Sequence, residues 1–445
     1  MPCPAECESA NDLAPRFDMT AVVVYDDARA RTFEPFASTR PVSELVAGTA
    51  RIRDRWKMVL SPNDGMQFVA GARHDDFEEV DGARAARGTI PRGSIVVNAR
   101  AVPMIPIDLA KMAQRAASCT LWRCGDQLAA VRLGDPVDVR ALTDGTVSLN
   151  ELHAGTGAVG EIKGWWLEEV WDFIRLLPEM LASDIAQIAQ QPPVVAALDR
   201  SRPPAHTIVL GAQPILVLPP PDGTTGGETR IERHVVLDTA GGPILIQPGS
   251  HIRAFTRITG PCYIGRDVNV LGGDIGASSI GDVCKVRGEL TNTVFDGYAN
   301  KGHDGFVGHS YVGRWVNLGA GTITSNLKNT YGNVSLWTPA GVRDTGMQFL
   351  GTLFGDHVKT GIGLRLTTGT VLGAGANVFG EMPPKAVAPF SWGDAPPYAD
   401  YRADKFLETA ARMMSRRHVE LTDRARRHLA GVHAGRWTVD RTGDL

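Results

Sequence analysis

The sequence has little cysteine, no long apolar run and no excess of either charge. Its six cysteines are Cys3, Cys7, Cys119, Cys124, Cys262 and Cys284. They match no zinc-ligand spacing: four residues separate Cys119 from Cys124, and no second pair accompanies them. They are expected to be reduced thiols of a cytoplasmic protein. No stretch approaches the ~20 apolar residues of a membrane span. Met1 to Ala14 shows no basic region followed by an apolar core, so neither membrane association nor a secretory signal is expected. With 46 basic and 49 acidic residues the net charge is −3, which removes the simplest electrostatic case for a nucleic-acid partner. Glycine, in contrast, is abundant. Its 49 of 445 residues are about 11%, against a usual ~7%, so part of the fold needs many tight turns.

Composition divides the chain into zones. Residues 18–190 read as mixed α/β. Met19 to Tyr25 (MTAVVVY) and Ser94 to Asn98 (SIVVN) have the apolar, β-branched look of buried strands. From Trp165 to Leu181 the apolar positions Trp166, Val170, Phe173, Ile174, Leu177 and Leu181 follow helical spacing, with Pro178 as a kink or stop. Residues 191–242 form a Pro/Gly-rich connector, with short apolar stretches at Thr207 to Leu210 and Ile215 to Leu218. Residues 243–390 carry a repeat. A C-terminal helix is predicted over 400–431, with Phe406, Leu407, Ala410, Met413, Met414 and Val419 as its apolar stripe and its arginines as a solvated face.

The repeat has period six. Ile246, Ile252, Ile258, Ile264 and Val270 are equally spaced, followed after a phase shift by Ile280 and Val286. Further series are Val294, Phe306, Val312, Leu318, and Phe354, Leu366, Leu372, Val378. Neither a helix nor an alternating strand has this period. A parallel β-helix does, because each side of its coil is one short strand with one aliphatic residue pointing inward and small residues at the corners.

This pattern resembles the left-handed parallel β-helix acyltransferases. Asn300 to Asn326 (NKGHDGFVGHSYVGRWVNLGAGTITSN) is more specific. It resembles the acetyltransferase core of the bacterial bifunctional N-acetylglucosamine-1-phosphate uridylyltransferase / glucosamine-1-phosphate acetyltransferase family. The family's histidine, its glycine five residues on and its Asn-Leu-Gly-Ala-Gly-Thr-Ile-Thr-x-Asn run fall on His303, Gly308 and Asn317 to Asn326. The resemblance implies that His303 is the general base, taking a proton as an amine or hydroxyl attacks a thioester. Asn317 and Asn326 would position the sugar phosphate and the histidine. Ala374 would offer its amide to the thioester of acetyl-CoA or another acyl-CoA, and Lys301 would bind phosphate. The sequence departs from the family at Phe306 and Leu327, where the family has tyrosines, and in the stretch Leu327 to Gln348, which reads as a hairpin or arm.

The resemblance also implies that residues 18–190 are an α/β Rossmann-like domain of nucleotidyltransferase type. Such domains follow their first strand with a Gly-rich loop that brings backbone amides to the triphosphate. Here the loop, Asp26 to Phe36 (DDARARTFEPF), has no glycine. Arg40-Pro41 stands in for the family's Lys-Pro, and Asn98 to Pro103 takes the place of its Gly-Asp-Val-Pro. Ala101 then replaces the aspartate that holds Mg2+, so that a metal site is open to question. Arg40, Asn98 and Arg100 are the substrate-binding candidates, with Arg29 and Arg31 as further arginines able to meet phosphate.

The expected protein is thus a nucleotidyltransferase-type domain, a left-handed parallel β-helix of hexapeptide repeats and a C-terminal helix, assembled as a homotrimer. Its expected role is sugar-nucleotide metabolism. It would be a transferase acting on a sugar phosphate with a nucleoside triphosphate or sugar nucleotide, by nucleotidyl transfer, acyl transfer from acyl-CoA, or both. Two alternatives stand beside this: a catalytically degenerate sugar-nucleotide sensor or scaffold, and an acyltransferase whose first domain is inactive.

Overall fold

The computed structural model describes residues 21–62, 65–152, 157–191, 206–220 and 227–438. Cys3, Cys7, Met19 and Thr20 lie outside them. The predicted first strand runs Val22–Tyr25, all four residues buried. It lies parallel between Met66–Val69 and Ile95–Asn98. Gln127–Arg132 and Cys119–Cys124 extend the sheet antiparallel beyond Ile95–Asn98, and Ala158–Glu161 closes that side. The β-branched run thus sits at the centre of a sheet covered on both faces, as its uninterrupted apolarity demands.

One predicted helix is corrected. Residues 165–181 do not form a single helix: Gly164–Trp166 is a strand paired with Ala101–Pro103, followed by short helix Asp172–Arg175 and helix Leu177–Ile188. Asp172 is fully buried, and one of its oxygens accepts the amides of Glu168 (2.8 Å) and Glu169 (3.0 Å). Those bonds fix the turn of Glu168 and Glu169 that precedes the short helix. Pro178 then opens the second helix, in its first turn, where its missing N–H is harmless.

The C-terminal region is rich in parallel strands. Ile246 lies in register with Ile264, and Ile252 with Val270, three hexads on. Ile246, Ile252, Ile258, Ile264 and Val270 are all fully buried. The stacking begins before residue 243, since Ile208–Leu210 and Ile215–Val217 in the expected connector already pair into these sheets. Two phases differ from the expected ladder. Phe295, not Val294, continues the internal column, pairing with Ile280 and Val312. Lys301 occupies the column position beside Val286.

Val294 faces outward because that side has a second neighbour. On the nine-stranded face from Ile215–Val217 to Ala386–Val387, alternate residues serve two cores. Ile264, Phe295, Val312, Phe354 and Leu372 fill the interior of the stack. Leu245, Tyr263, Val294, Tyr311, Leu353 and Val371 join the core of the N-terminal region. Phe36 and Phe173 pack on Tyr311 at ring separations of 4.5 and 5.5 Å.

A buried charge network locks the same face. The Arg40 guanidinium donates to Asp356 (2.8 Å) and, through two nitrogens, to Glu79 (3.1 and 2.9 Å). Thr39 donates to Asp356 at 2.6 Å, and Arg314 lies 3.0 Å from Glu79. Burial would raise the Glu79 pKa, but Arg314 and Arg40 outweigh it and hold the group at about 2.

The expected single C-terminal helix is two, Ala403–Ser415 and Asp423–Ala434, with Thr422 capping the second. Part of the arginine face is engaged, since Arg424 and Arg427 lie 3.8 and 3.3 Å from Asp76. The arm predicted over 327–348 is an antiparallel hairpin of Ser335–Thr338 and Gly341–Asp344. No helix among the described residues is long and apolar enough to cross a membrane. None of the four described cysteines is in a disulfide, and burial pushes the Cys262 and Cys284 thiols up to about 12.

Candidate functional site

The strand order sets the place to look. Val22–Tyr25 is followed in sequence by its neighbour on one side, Met66–Val69, and then by Ile95–Asn98 on the other. The order reverses between Val22–Tyr25 and Ile95–Asn98, and open α/β sheets bind ligands outside the carboxyl ends of strands at such a point. Tyr25 and Asn98 are paired there.

Asp27 lies just beyond Tyr25. It accepts the Ala30 amide at 2.8 Å and the Asn98 side-chain amide at 2.9 Å. Arg100 approaches the same carboxylate with Nε at 3.0 Å and Nη2 at 2.9 Å. The Arg100 guanidinium also donates to Glu168 at 2.9 Å and lies over the Trp166 ring at 4.6 Å. Arg29 donates to the Glu168 carbonyl at 2.9 Å and pairs with Glu169. Arg343, from the hairpin, pairs with Glu169 as well and lies 5.6 Å from the Trp171 ring centre. Three carboxylates, Asp27, Glu168 and Glu169, thus meet three guanidiniums, Arg29, Arg100 and Arg343.

Of the substrate-binding candidates, Asn98 and Arg100 both meet Asp27 here. Asp27, Glu168, Glu169 and Arg343 were missed. Only Asp27 left a signal, as an acid immediately following a buried strand. Arg31 is held by the carbonyls of Asp26, Thr143 and Leu142. Arg40 is corrected from substrate ligand to structural clamp: its side chain is 1% exposed and fully matched by Asp356 and Glu79.

The loop of residues 26–36 forms a tight turn in place of a glycine cradle, with Asp27 capping Ala30. Among the described residues no group of three His, Cys, Asp or Glu side chains could hold a metal ion. A resident Mg2+ does not fit this donor set, because each carboxylate is already neutralised by an arginine.

Asp26, beneath the loop, has a different environment. Burial raises its carboxyl from 3.8 to about 7, against the opposing Val42 amide bond. The folded state therefore holds this proton more tightly than the unfolded chain, and its contribution to stability falls as pH rises from near 3.8 through about 7. Asp26→Asn is expected to flatten that part of the stability profile, as measured by urea unfolding at several pH values. An unchanged slope would refute the assignment.

Of the residues matched to the acetyltransferase motif, Asn326 is brought against Gly308 and His309. The His303 imidazole is exposed and makes no hydrogen bond or ion pair among the described residues. Asn326 instead donates to Nδ1 of His309 at 2.9 Å, which fixes the neutral tautomer with its proton on Nε2. Burial lowers His309 to about 4, and its ring stacks on Phe349 at 5.3 Å. A Cβ at Gly308 would meet the far ends of two side chains, the Phe306 ring at 2.3 Å and the Asn326 amide at 2.9 Å. Asn317 accepts from Asn300 at 2.9 Å.

Two motif assignments are corrected. Lys301 is 0% exposed, and its ammonium donates to the carbonyls of Arg287 and His303, so it does not face a phosphate. Burial lowers it to about 8. Ala374 is 1% exposed and its carbonyl accepts the Phe390 amide at 2.9 Å. Phe390 and Phe406 cover the adjacent Gly375, so the amide expected to meet a thioester lies under a roof.

The sheet, parallel at its centre and covered on both faces, places the N-terminal region in the α/β class. Residues 22–192 match the model of a family described as sugar nucleotidyl transferase. The chain is 27% identical over 168 residues to the bifunctional protein GlmU of Carboxydothermus hydrogenoformans, covering 38% of this chain and 31% of that protein. It is 30% identical over 145 residues to the GlmU of Prochlorococcus marinus, covering 32% and 24%. A bifunctional sugar-1-phosphate nucleotidylyltransferase/acetyltransferase of Sulfurisphaera tokodaii is 34% identical over 77 residues, covering 17% and 19%. The matches span less than a third of the length of these relatives. Over these stretches the chain is similar to GlmU-type bifunctional proteins, and its residues 22–192 to the sugar nucleotidyl transferase family.

Proposed function

We propose that the protein is a sugar-1-phosphate nucleotidyltransferase that binds its nucleotide at the carboxyl ends of Val22–Tyr25 and Ile95–Asn98. The convergence of Asp27, Asn98, Arg29 and Arg100 at the point where strand order reverses carries this reading. An oxygen of the sugar-1-phosphate attacks the α-phosphorus of a nucleoside triphosphate. A new P–O bond forms, the bond to the β-phosphate breaks, and pyrophosphate leaves. Held in place by their carboxylates, Arg29 and Arg100 turn their remaining N–H groups to phosphate oxygens and meet the charge of the leaving group. The test is pyrophosphate release across a panel of nucleoside triphosphates and sugar-1-phosphates, with nucleotide binding followed in parallel by calorimetry.

A second reading rests on the pairing of all three carboxylates with arginines. In that reading the crevice binds a sugar nucleotide without turning it over. Saturable nucleotide binding with no pyrophosphate release would establish it in place of the first. Neither binding nor release would remove both.

Acyl transfer belongs to the C-terminal region, which we read as a left-handed parallel β-helix that assembles as a homotrimer. The exposed, unpartnered imidazole of His303 supports it. His303 takes a proton from the sugar amine or hydroxyl as that group attacks the carbonyl of acyl-CoA. The carbon–sulfur bond breaks and the thiolate leaves, to be protonated by solvent. The roof over Ala374 means that another amide must face the thioester, one supplied by a neighbouring subunit. Release of free thiol from acetyl-CoA in the presence of amino-sugar phosphates tests this activity, and light scattering tests the trimer.

A further inference from the structure

The hairpin of Ser335–Thr338 and Gly341–Asp344 is inserted between Ile323–Thr324 and Thr352–Phe354 of the strand stack, yet it reaches the crevice of the other half. Leu336 stands opposite Arg343 in the pairing, and Trp337 opposite Val342. Opposed residues share a face of a hairpin, so its two faces have different tasks. On one, Leu336 is fully buried and Arg343 pairs with Glu169. On the other, Trp337 stacks on Trp437 at a ring separation of 4.2 Å and an interplanar angle of 28°. Trp437 follows the last helix, Asp423–Ala434. The hairpin is thus gripped from both sides.

Glu169 is where that grip is felt. A single oxygen, Oε1, is the partner of both Arg29 and Arg343. Arg29 is otherwise anchored through Nε, which donates to the Glu168 carbonyl at 2.9 Å. The direction of its outer nitrogens is therefore set by Glu169, and Glu169 is held from the far side by Arg343. The Arg343 guanidinium is steadied in turn by the buried Trp171 ring, 5.6 Å away. Contacts thus run without a gap from Trp437 through Trp337, Arg343 and Glu169 to Arg29.

We propose that Arg343 is a positioning residue of the crevice: it fixes the Glu169 carboxylate that aims Arg29 at the phosphates, and the Trp337–Trp437 stack latches the hairpin where it can do so. The end of the chain then governs the reaction of the first domain. What Arg29 meets rests on the nucleotidyl reading; the chain of contacts stands without it. Arg343 is 39% exposed and Trp437 lies beyond the last helix, so replacing either leaves the core closed.

The test compares full-length Arg343→Ala, Arg343→Lys, Trp437→Ala and Trp437→Phe with the wild type. Arg343→Ala is expected to lower kcat for pyrophosphate release by about tenfold or more, with KM moved less than about threefold. Arg343→Lys should regain part of the loss, since an ammonium still pairs with Glu169 but has no planar face to turn to Trp171. Trp437→Ala should act in the same direction, and Trp437→Phe should restore the rate by returning a ring to Trp337. Hydrogen exchange gives a readout independent of turnover. The amides of Glu168 and Glu169 are bonded to Asp172, and in Arg343→Ala and Trp437→Ala they should exchange at least about fivefold faster. Wild-type kcat in Arg343→Ala overturns the proposal, as does unchanged exchange of both amides. Faster exchange in the hairpin of Trp437→Ala without any change at Glu168 and Glu169 overturns the latch. A wild type that releases no pyrophosphate while both amides respond would remove the nucleotidyl reading and leave the positioning of Glu169 established.

Discussion

Arg40→Met is expected to destabilise the protein by about 3–5 kcal/mol, the range for breaking a buried ion pair by removing one partner. The substitution removes the cation that faces Asp356 and Glu79 inside the joint between the two halves. Glu79 keeps Arg314, but Asp356 loses its charged partner and is left with the Thr39 hydroxyl and the Arg314 amide. Burial already holds the Asp356 carboxyl above the ordinary range, with Arg40 opposing it. Without Arg40 the carboxyl should rise further and bind a proton more readily in the folded state. The deficit should therefore shrink as pH falls. Urea unfolding at acidic and at neutral pH measures both effects. A loss below about 1 kcal/mol, the level of an exposed pair, would show that the clamp contributes little to the joint.

The second large effect concerns the crevice. Arg100→Ala is expected to lower nucleotidyl transfer by about 10²–10³-fold, the scale for removing one preorganised donor from a developing charge. Arg100 bridges Asp27 and Glu168 and stacks on Trp166, so its guanidinium is oriented before any ligand arrives. Arg100→Lys should recover only part of the loss, because an ammonium cannot span two acceptors with a planar fork. The expected signature is a fall in kcat larger than any rise in KM. Wild-type rates in Arg100→Ala would remove the residue from the mechanism.

The periodic parts of this fold were legible because their cause is local. Each of Ile246, Ile252, Ile258, Ile264 and Val270 buries itself in one short side of a turn, and the spacing of those sides is written along the chain. The hairpin of residues 335–344 was legible for the same reason. Val294 misled because an aliphatic residue facing a neighbouring core looks the same in sequence as one facing its own. Lys301 misled because an inward lysine satisfied by carbonyls has no signature distinct from an outward one. Arg40 was recognised as an arginine beside a proline, but its partner Asp356 lies 316 residues away. The crevice was half legible. Asn98 and Arg100 follow a strand whose pattern is plain, whereas Glu169 and Arg343 meet only after the hairpin is folded over the sheet.

The wall shared by the two halves has a consequence for how such a protein can be built or rebuilt. Val294, Tyr311, Leu353 and Val371 stand on the outer surface of the strand stack yet are as dry as its interior. Severing the chain between the regions would uncover an oily plane on each fragment, apt to stick to whatever it met. The halves therefore cannot be swapped as cassettes with those of other proteins unless this plane is carried across or rewritten with polar side chains.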